Sequence, residues 1–209
     1  MARYTGPVCK RCRREGMKLF LKGTRCSMAK CAIEREKPAP GVHGQRRARK
    51  SSEYAVQLRE KQRLKRQYGM QEAQFRLVFK RALRRRGVTG EQLLQSLESR
   101  LDNVVYRMGF APSRQAARQM VLHNHVTVNA RRAQSASIEL KPGSVIQIKD
   151  RSGVREGVKR CLDALGNAPV PAWMTRDDAA FNGQYVRVPT REEIAPIVNE
   201  QLVVELYSK

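Results

Sequence analysis

Hydrophobic periodicity divides the chain into a patternless first quarter, a series of helical patterns, and a helix that gives way to a strand. Over residues 71–86, Phe75, Val78, Phe79, Ala82 and Leu83 recur at i, i+3, i+4, i+7 and i+8. This predicts an amphipathic helix with all five in the core and Gly87 ending it. Ahead of it, Ser51, Ser52 and Glu53 open a helix expected to reach Gly69, with Tyr54 and Leu58, then Leu64 and Tyr68, one turn apart. Thr89 with Gln92 has capping-box spacing. Leu93, Leu97, Leu101, Val104 and Met108 continue a third helical stretch to Gly109, with room for a kink.

Ser113 next caps a short helix whose apolar stripe is Ala117, Met120 and Val121. Arg114 and Arg118, one turn apart, are expected on its open face. The helix runs out at His123 and Asn124, and Asn tolerates the left-handed backbone that ends helices. Residues 125–129 then alternate, with Val126 and Val128 on one side and His125, Thr127 and Asn129 on the other, as in a strand. Pro142-Gly143 and the run 145–149 extend this to a small antiparallel sheet. A helix from about Val154 puts Val154, Val158, Cys161 and Leu165 on one face, which makes Cys161 a buried thiol. Residues 166–171 break the chain, 184–188 read as a strand, and Thr190 with Glu193 caps a short turn ended by Pro196. Leu202, Val203, Leu206 and Tyr207 close the sequence as an apolar element.

Charge changes the picture. Forty-two Lys and Arg against nineteen Asp and Glu give +23 in 209 residues. Such a field attracts polyanions through counterion release, so nucleic acid is the leading partner. Residues 1–86 hold 26 basic and 6 acidic side chains, +20, and residues 87–209 hold 16 and 13, +3. The first part is therefore expected to dominate phosphate binding. A membrane surface fits poorly, because there is no lipidation signal, no apolar span and no basic helix with a broad apolar back. The opening residues lack the apolar core of a secretory signal, and five cysteines without one point to the reducing cytoplasm.

Four of those cysteines lie in the patternless first fifty residues. Cys9 and Cys12 form a C-x2-C pair, and Cys26 and Cys31 a C-x4-C pair thirteen residues later. Two tight pairs across a loop can converge on one structural Zn²⁺, and so polar a segment needs such a staple. Four thiolates could instead hold an iron–sulfur cluster. Residues 37–50 follow as a Pro- and Gly-broken linker ending in Arg46, Arg47, Arg49 and Lys50. There His43, between glycines, suits a backbone or phosphate contact.

The residues expected to meet phosphate are Arg3, Lys10, Arg11, Arg13 and Arg14 in the arm and Arg46, Arg47, Arg49 and Lys50 in the linker. Tyr54, Arg59, Lys61 and Arg63 join them from the first long helix, and Arg114, Arg118, His123, His125, Arg131 and Arg132 from the helix–strand region. Three His, with no Ser/His/Asp pattern and no phosphate-loop glycines, supply no constellation for catalysis and no small-molecule substrate site.

Several stretches are similar to a known family. Asp102-Asn-Val-Val-Tyr-Arg-Met-Gly-Phe, Ser113-Arg-x-x-Ala-Arg-Gln and His125-Val-x-Val-Asn resemble the RNA-binding module of the bacterial small-subunit ribosomal protein four (S-four) family. Ala39-Pro-Gly-x-His-Gly-Gln, Tyr54-Ala-Val-Gln-Leu-Arg-Glu-Lys-Gln and Asn199-Glu-Gln-Leu-Val-Val-Glu-Leu-Tyr-Ser extend the resemblance over the whole chain. It implies an α+β protein. Residues 51–96 would be a helical lobe completed by the C-terminal tail, 97–165 the S-four module, and 166–209 a segment packing back on the lobes; residues 1–50 are a basic arm whose metal binding rests on its four cysteines alone, since family members also occur without them.

The resemblance also implies a primary binder of 16S rRNA that nucleates assembly of the 30S body. Such a protein contacts small-subunit proteins five and three, lines the channel through which mRNA enters, and influences decoding accuracy. The family usually has glycine where this chain has Asn124 and Ala130, and Asn-Ala is an unusual tight-turn pair. Two other classes compete. S-four modules are appended to pseudouridine synthases and tyrosyl-tRNA synthetases, and Arg100-Leu101-Asp102 superficially matches the synthase's catalytic tripeptide. A zinc-dependent DNA-binding regulator would need a reading helix beside the metal, for which the polar residues 28–36 are poorly suited.

Overall fold

The computed structural model describes residues 4–44, 52–166, 169–194 and 196–208. Its helices are α1 (Cys9–Glu15), α2 (Glu53–Gln67), α3 (Glu72–Arg84), α4 (Thr89–Glu98), α5 (Leu101–Arg107), α6 (Arg114–Leu122), α7 (Ser152–Leu165), α8 (Arg191–Ile194) and α9 (Glu200–Ser208). Its strands are β1 (Val126–Val128), β2 (Arg131–Arg132), β3 (Ser144–Ile148), β4 (Met174–Asp177) and β5 (Asn182–Tyr185). They form two compact units, one of Met1–Leu94 with Pro196–Lys209 and the other of Gln95–Ala195. The mixture of helices with one small antiparallel sheet is the α+β class expected.

In the first unit, Ser52 caps α2 by accepting from the Ala55 N–H at 3.4 Å. The α3 stripe buries Phe75, Val78, Phe79 and Ala82, whereas Leu83, expected beside them, is 59% exposed. Leu83 lies at the edge of the stripe, where none of the described elements covers it. The C-terminal α9 completes this unit. Gln57 donates to Glu205 at 3.0 Å, the Asn199 N–H donates to Glu60 at 3.1 Å, and the Tyr207 ring stacks 4.5 Å from that of Phe79.

In the second unit, the sheet runs β2-β1-β3-β5-β4 and every pairing is antiparallel. The third long helical stretch does kink. It breaks at Arg100 (φ −66°, ψ 137°), and the first-turn donors of α5 are met elsewhere: Leu101 N–H reaches the Ile138 carbonyl and Asp102 N–H that of Ala136. Satisfying those groups lets two helices replace one without orphaned donors. The core gathers Leu101, Val104, Met108, Phe110, Ala117, Val121, Val126, Ile146, Ile148, Trp173 and Tyr185.

Within residues 166–194, β4 and β5 extend the sheet from β3 and belong to this unit. Among the described residues beyond 166, only 196–208 return to the first unit. The expected strand over 184–188 is displaced to Asn182–Tyr185, because Ser144 to Gln147 pair with Tyr185 to Asn182. Cys161 is half-buried, as α7 presents Val158 most directly to the core.

Candidate nucleic-acid interface

In the arm, all four cysteines are unpaired thiols; Cys12, Cys26 and Cys31 are buried and Cys9 half-buried. The Lys22 N–H points at the Cys26 sulfur at 3.3 Å, and the Leu19 backbone donates to Cys12. Burial raises the Cys12 pKa, and Cys26, Cys9 and Cys31 are close enough to raise it further. Among the described residues no three His, Cys, Asp or Glu side chains are arranged so that they could hold a metal ion. Cys9, Cys26 and Cys31 lie near enough to Cys12 to act on it, but their described arrangement does not form a metal site. Residues 28–36 form successive turns, not the reading helix a DNA-binding regulator needs.

Glu15, the last residue of α1, ties this arm to α2. Its side chain is fully buried and faces Arg59 at 3.3 Å, Arg63 at 3.6 Å and Arg66. Arg63 also pairs with Glu60. Lys61 is buried, 2.6 Å from Glu72, and Lys65 lies 2.6 Å from the same carboxylate. Burial would raise the Glu72 carboxyl, but hydrogen bonds from Lys61, Lys65 and Tyr207 outweigh it and bring its pKa down to about 2. These lysines and arginines therefore join helices together. Lys61 in particular is withdrawn from the surface expected to meet phosphate, and Arg59 and Arg63 are shared with acids.

Of the arm residues expected to meet phosphate, Lys10 and Arg14 are exposed, as are Lys22, Arg25, Lys30, Arg35 and Lys37. Arg13 donates to the Pro38 carbonyl at 2.8 Å, and Arg11 lies 3.6 Å over the Tyr4 ring. Tyr54 is 58% exposed and so available to stack. Arg3, Arg46, Arg47, Arg49 and Lys50 lie outside the described residues.

A further row of cations, not among those expected from the sequence, runs along α3. Arg76, Lys80 and Arg84 are exposed at i, i+4 and i+8, opposite the buried stripe. At 1.5 Å rise per residue they stand about 6 Å apart along the axis, a comb of charge along one edge. The sequence held the signal: these are the positions left over once the apolar stripe is assigned.

In the second unit the expected outward pair turns inward. Arg114 and Arg118 are both buried, because they share the i, i+3, i+4, i+7 face of Ala117 and Val121 that docks on α5. Arg114 Nε donates to Asn103 Oδ1 at 2.8 Å, and its guanidinium lies 4.6 Å over the Tyr106 ring. Arg118 lies 3.3 Å from Asp102, which Arg100 grips with two bonds of 3.0 and 2.7 Å. Buried Glu98 completes the network, accepting from Asn103 and doubly from Arg107. The two arginines hold the module's helices together and are largely withdrawn from its surface. Asp102, buried between two guanidiniums, is likewise not available as a synthase-type catalytic carboxylate.

What this unit does display is the far end of β1. His123 is exposed, His125 half-buried, and Arg131 and Arg132 exposed on β2. Asn124 takes the expected left-handed conformation (φ 59°) and accepts from Arg132 Nε at 2.6 Å. The β1–β2 turn places Asn129 at φ 49° and Ala130 at φ 61°. Two left-handed residues in succession match the twist of the hairpin, so the turn forms with alanine in its second position.

Comparison with known proteins agrees with this layout. Residues 3–98 match the family described as ribosomal protein S4/S9 N-terminal domain, and residues 99–146 the S4 domain. The small ribosomal subunit protein uS4 of Thermus thermophilus is 52% identical over 209 residues. Those of Heliobacterium modesticaldum and Dictyoglomus thermophilum are each 54% identical over the same length. In all three the alignment covers the whole of both chains. With both family domains matched and the alignments running from end to end, the chain belongs to the uS4 family of small ribosomal subunit proteins.

Proposed function

We propose that the chain is a structural protein of the small ribosomal subunit, acting in the cytoplasm by binding 16S rRNA and performing no catalysis. The observation that carries this is end-to-end similarity to uS4 proteins at 52–54% identity. The mechanism is electrostatic and architectural. Exposed Lys10, Arg14 and the α3 row neutralise phosphates, while the ion pairs of Glu15 and Glu72 in the first unit and of Glu98 and Asp102 in the second stiffen each against folded RNA.

The same reading extends to nucleating assembly of the 30S body, contacting proteins five and three, lining the channel through which mRNA enters, and tuning decoding accuracy. These roles rest on the family resemblance alone.

Within it, Cys9, Cys12, Cys26 and Cys31 would hold one Zn²⁺, or an iron–sulfur cluster in its place. Support comes from the paired spacing, the neighbourhood the four thiols share and the backbone N–H groups aimed at Cys12 and Cys26. Metal binding would displace thiol protons and supply folding free energy to the arm. The chain's own residues contribute the N–H groups, and Glu15 holds the arm to α2.

Equilibrium titration of 16S rRNA and of duplex DNA at matched salt tests the function. Preference for rRNA by at least about a thousandfold, the lower end for specific recognition, is expected. Equal affinities would reduce the chain to a non-specific polyanion binder.

A further inference from the structure

His123 and His125 flank the left-handed Asn124, their ring centroids 6.0 Å apart. The backbone pins them there: His125 N–H donates to the Met120 carbonyl at the end of α6, and Lys149 N–H donates to the His125 carbonyl. Because Val126 pairs with Ile148, the strand register lays residues 149–151 beside residues 123–125. The charged groups acting on His125 are Arg151, His123 and Lys149, and Arg132 reaches the same corner through Asn124. The intervening acid, Asp150, is 79% exposed and pairs with Arg155 at 3.1 Å. Two imidazoles and three permanent cations are therefore gathered at one edge, where their mutual repulsion costs stability unless an anion joins them.

We propose that His123, His125, Lys149, Arg151 and Arg132 form a phosphodiester-binding site, and that RNA binding there is coupled to protonation of the two imidazoles. The inference rests on the rRNA-binding reading and adds a new linkage to it. In the free protein, burial and then the neighbouring cations Arg151, His123 and Lys149 lower the His125 pKa, disfavouring its charged form. A phosphate oxygen at the corner reverses the balance, because an anion beside an imidazole favours the charged form. Binding then takes up protons, so affinity is greatest below the free-state pKa values and is lost as pH rises through the bound-state ones. The loss is about tenfold for each histidine whose pKa rises by one unit on binding. The cluster behaves as a clamp whose grip depends on pH, unlike the fixed charge of the α3 row.

The chain has three histidines, so the test is tractable with the full-length protein. Affinity for 16S rRNA is measured at constant ionic strength from pH 5.5 to 8.5, and proton uptake by calorimetry in two buffers of different ionisation enthalpy. The wild type is expected to lose roughly 10- to 100-fold in affinity across that range and to take up protons near pH 6.5. His123→Gln, an exposed change that leaves the core untouched, should remove part of the dependence, and His123→Gln with His125→Gln nearly all of it. Lys149→Gln with Arg151→Gln should weaken binding and lower the salt slope. Tight rRNA binding without pH dependence or proton uptake would overturn the inference and leave the rRNA reading intact. A dependence that survives in the double histidine variant would also overturn it. Absence of rRNA binding at every pH would defeat the underlying reading itself.

Discussion

Replacing Ala130 with glycine should make the protein more stable. Ala130 sits at φ 61° directly after Asn129 at φ 49°, and the turn cannot relax cheaply. Asn129 N–H donates to the Val145 carbonyl and its side-chain oxygen accepts from the Val145 N–H, both at 2.8 Å, so the loop is sewn to β3 on one side. The β1–β2 register fixes it on the other. A Cβ in the left-handed region costs roughly 1–2 kcal/mol. Glycine removes that strain but adds about 0.5–1 kcal/mol of unfolded-chain entropy, which leaves a net gain on the order of 0.5–1 kcal/mol. For a unit of about 100 residues each kcal/mol shifts Tm by roughly 4–8 °C, so a rise of about 2–8 °C is expected. The readout is built in, because the single tryptophan, Trp173, is buried in the same unit. Its fluorescence during thermal melting should report the shift, with rRNA affinity unweakened. Ala130→Val, which adds β-branching at positive φ, should melt lower than the parent. A glycine variant melting at or below the parent would refute the strain argument.

The charge network can be probed in the same way. Glu15→Gln leaves three arginines facing a buried neutral amide, so it should destabilise docking of the arm by about 3 kcal/mol, read as faster proteolysis within the arm. Glu72, lowered to about 2 in the fold, lends stability that is fully present above its unfolded pKa near 4.5 and lost as pH falls toward 2. Tyr207 fluorescence quenching or exchange in α9 should track that loss, and Glu72→Gln should abolish the pH dependence. Neutralising Arg76, Lys80 and Arg84 together should lower the slope of log K against log salt by about three, and neutralising Arg46, Arg47, Arg49 and Lys50 by about three to four, if each meets one phosphate. An unchanged slope would leave those groups solvated. One Zn²⁺ per chain is expected, with Cys9, Cys12, Cys26 and Cys31 unreactive until a chelator is added. Stoichiometric iron with visible absorption would put a cluster in its place, and four reactive thiols without metal would defeat the proposal.

How far the sequence was readable depends on which physical signal each element left. The apolar stripe of α3 and the serine caps of α2 and α6 are local, and each formed where local rules put it. The strand β4 left little trace and β5 was read two residues late, because Met174 and Tyr185 are buried among polar neighbours and the pairing of β5 with β3 and of β4 with β5 is supplied by tertiary contact. Charge misled in a consistent way. Arg114 and Arg118 look like surface residues until Asp102 and Asn103, from another helix, are brought to meet them, and Lys61 until Glu72 is. A sequence shows how many cations a helix has but not which ones a distant carboxylate will claim. The α3 row was legible by elimination, whereas the His123–His125 corner needed the strand register to bring Lys149 and Arg151 alongside.

The most direct test of the central claim is reconstitution of small-subunit particles from 16S rRNA and small-subunit proteins lacking only this chain. The account predicts that particles form poorly without it and that adding it back restores them, with the protein bound at one copy per 16S rRNA. Particles that assemble equally well in its absence, or that fail to retain it at physiological salt, would contradict the account.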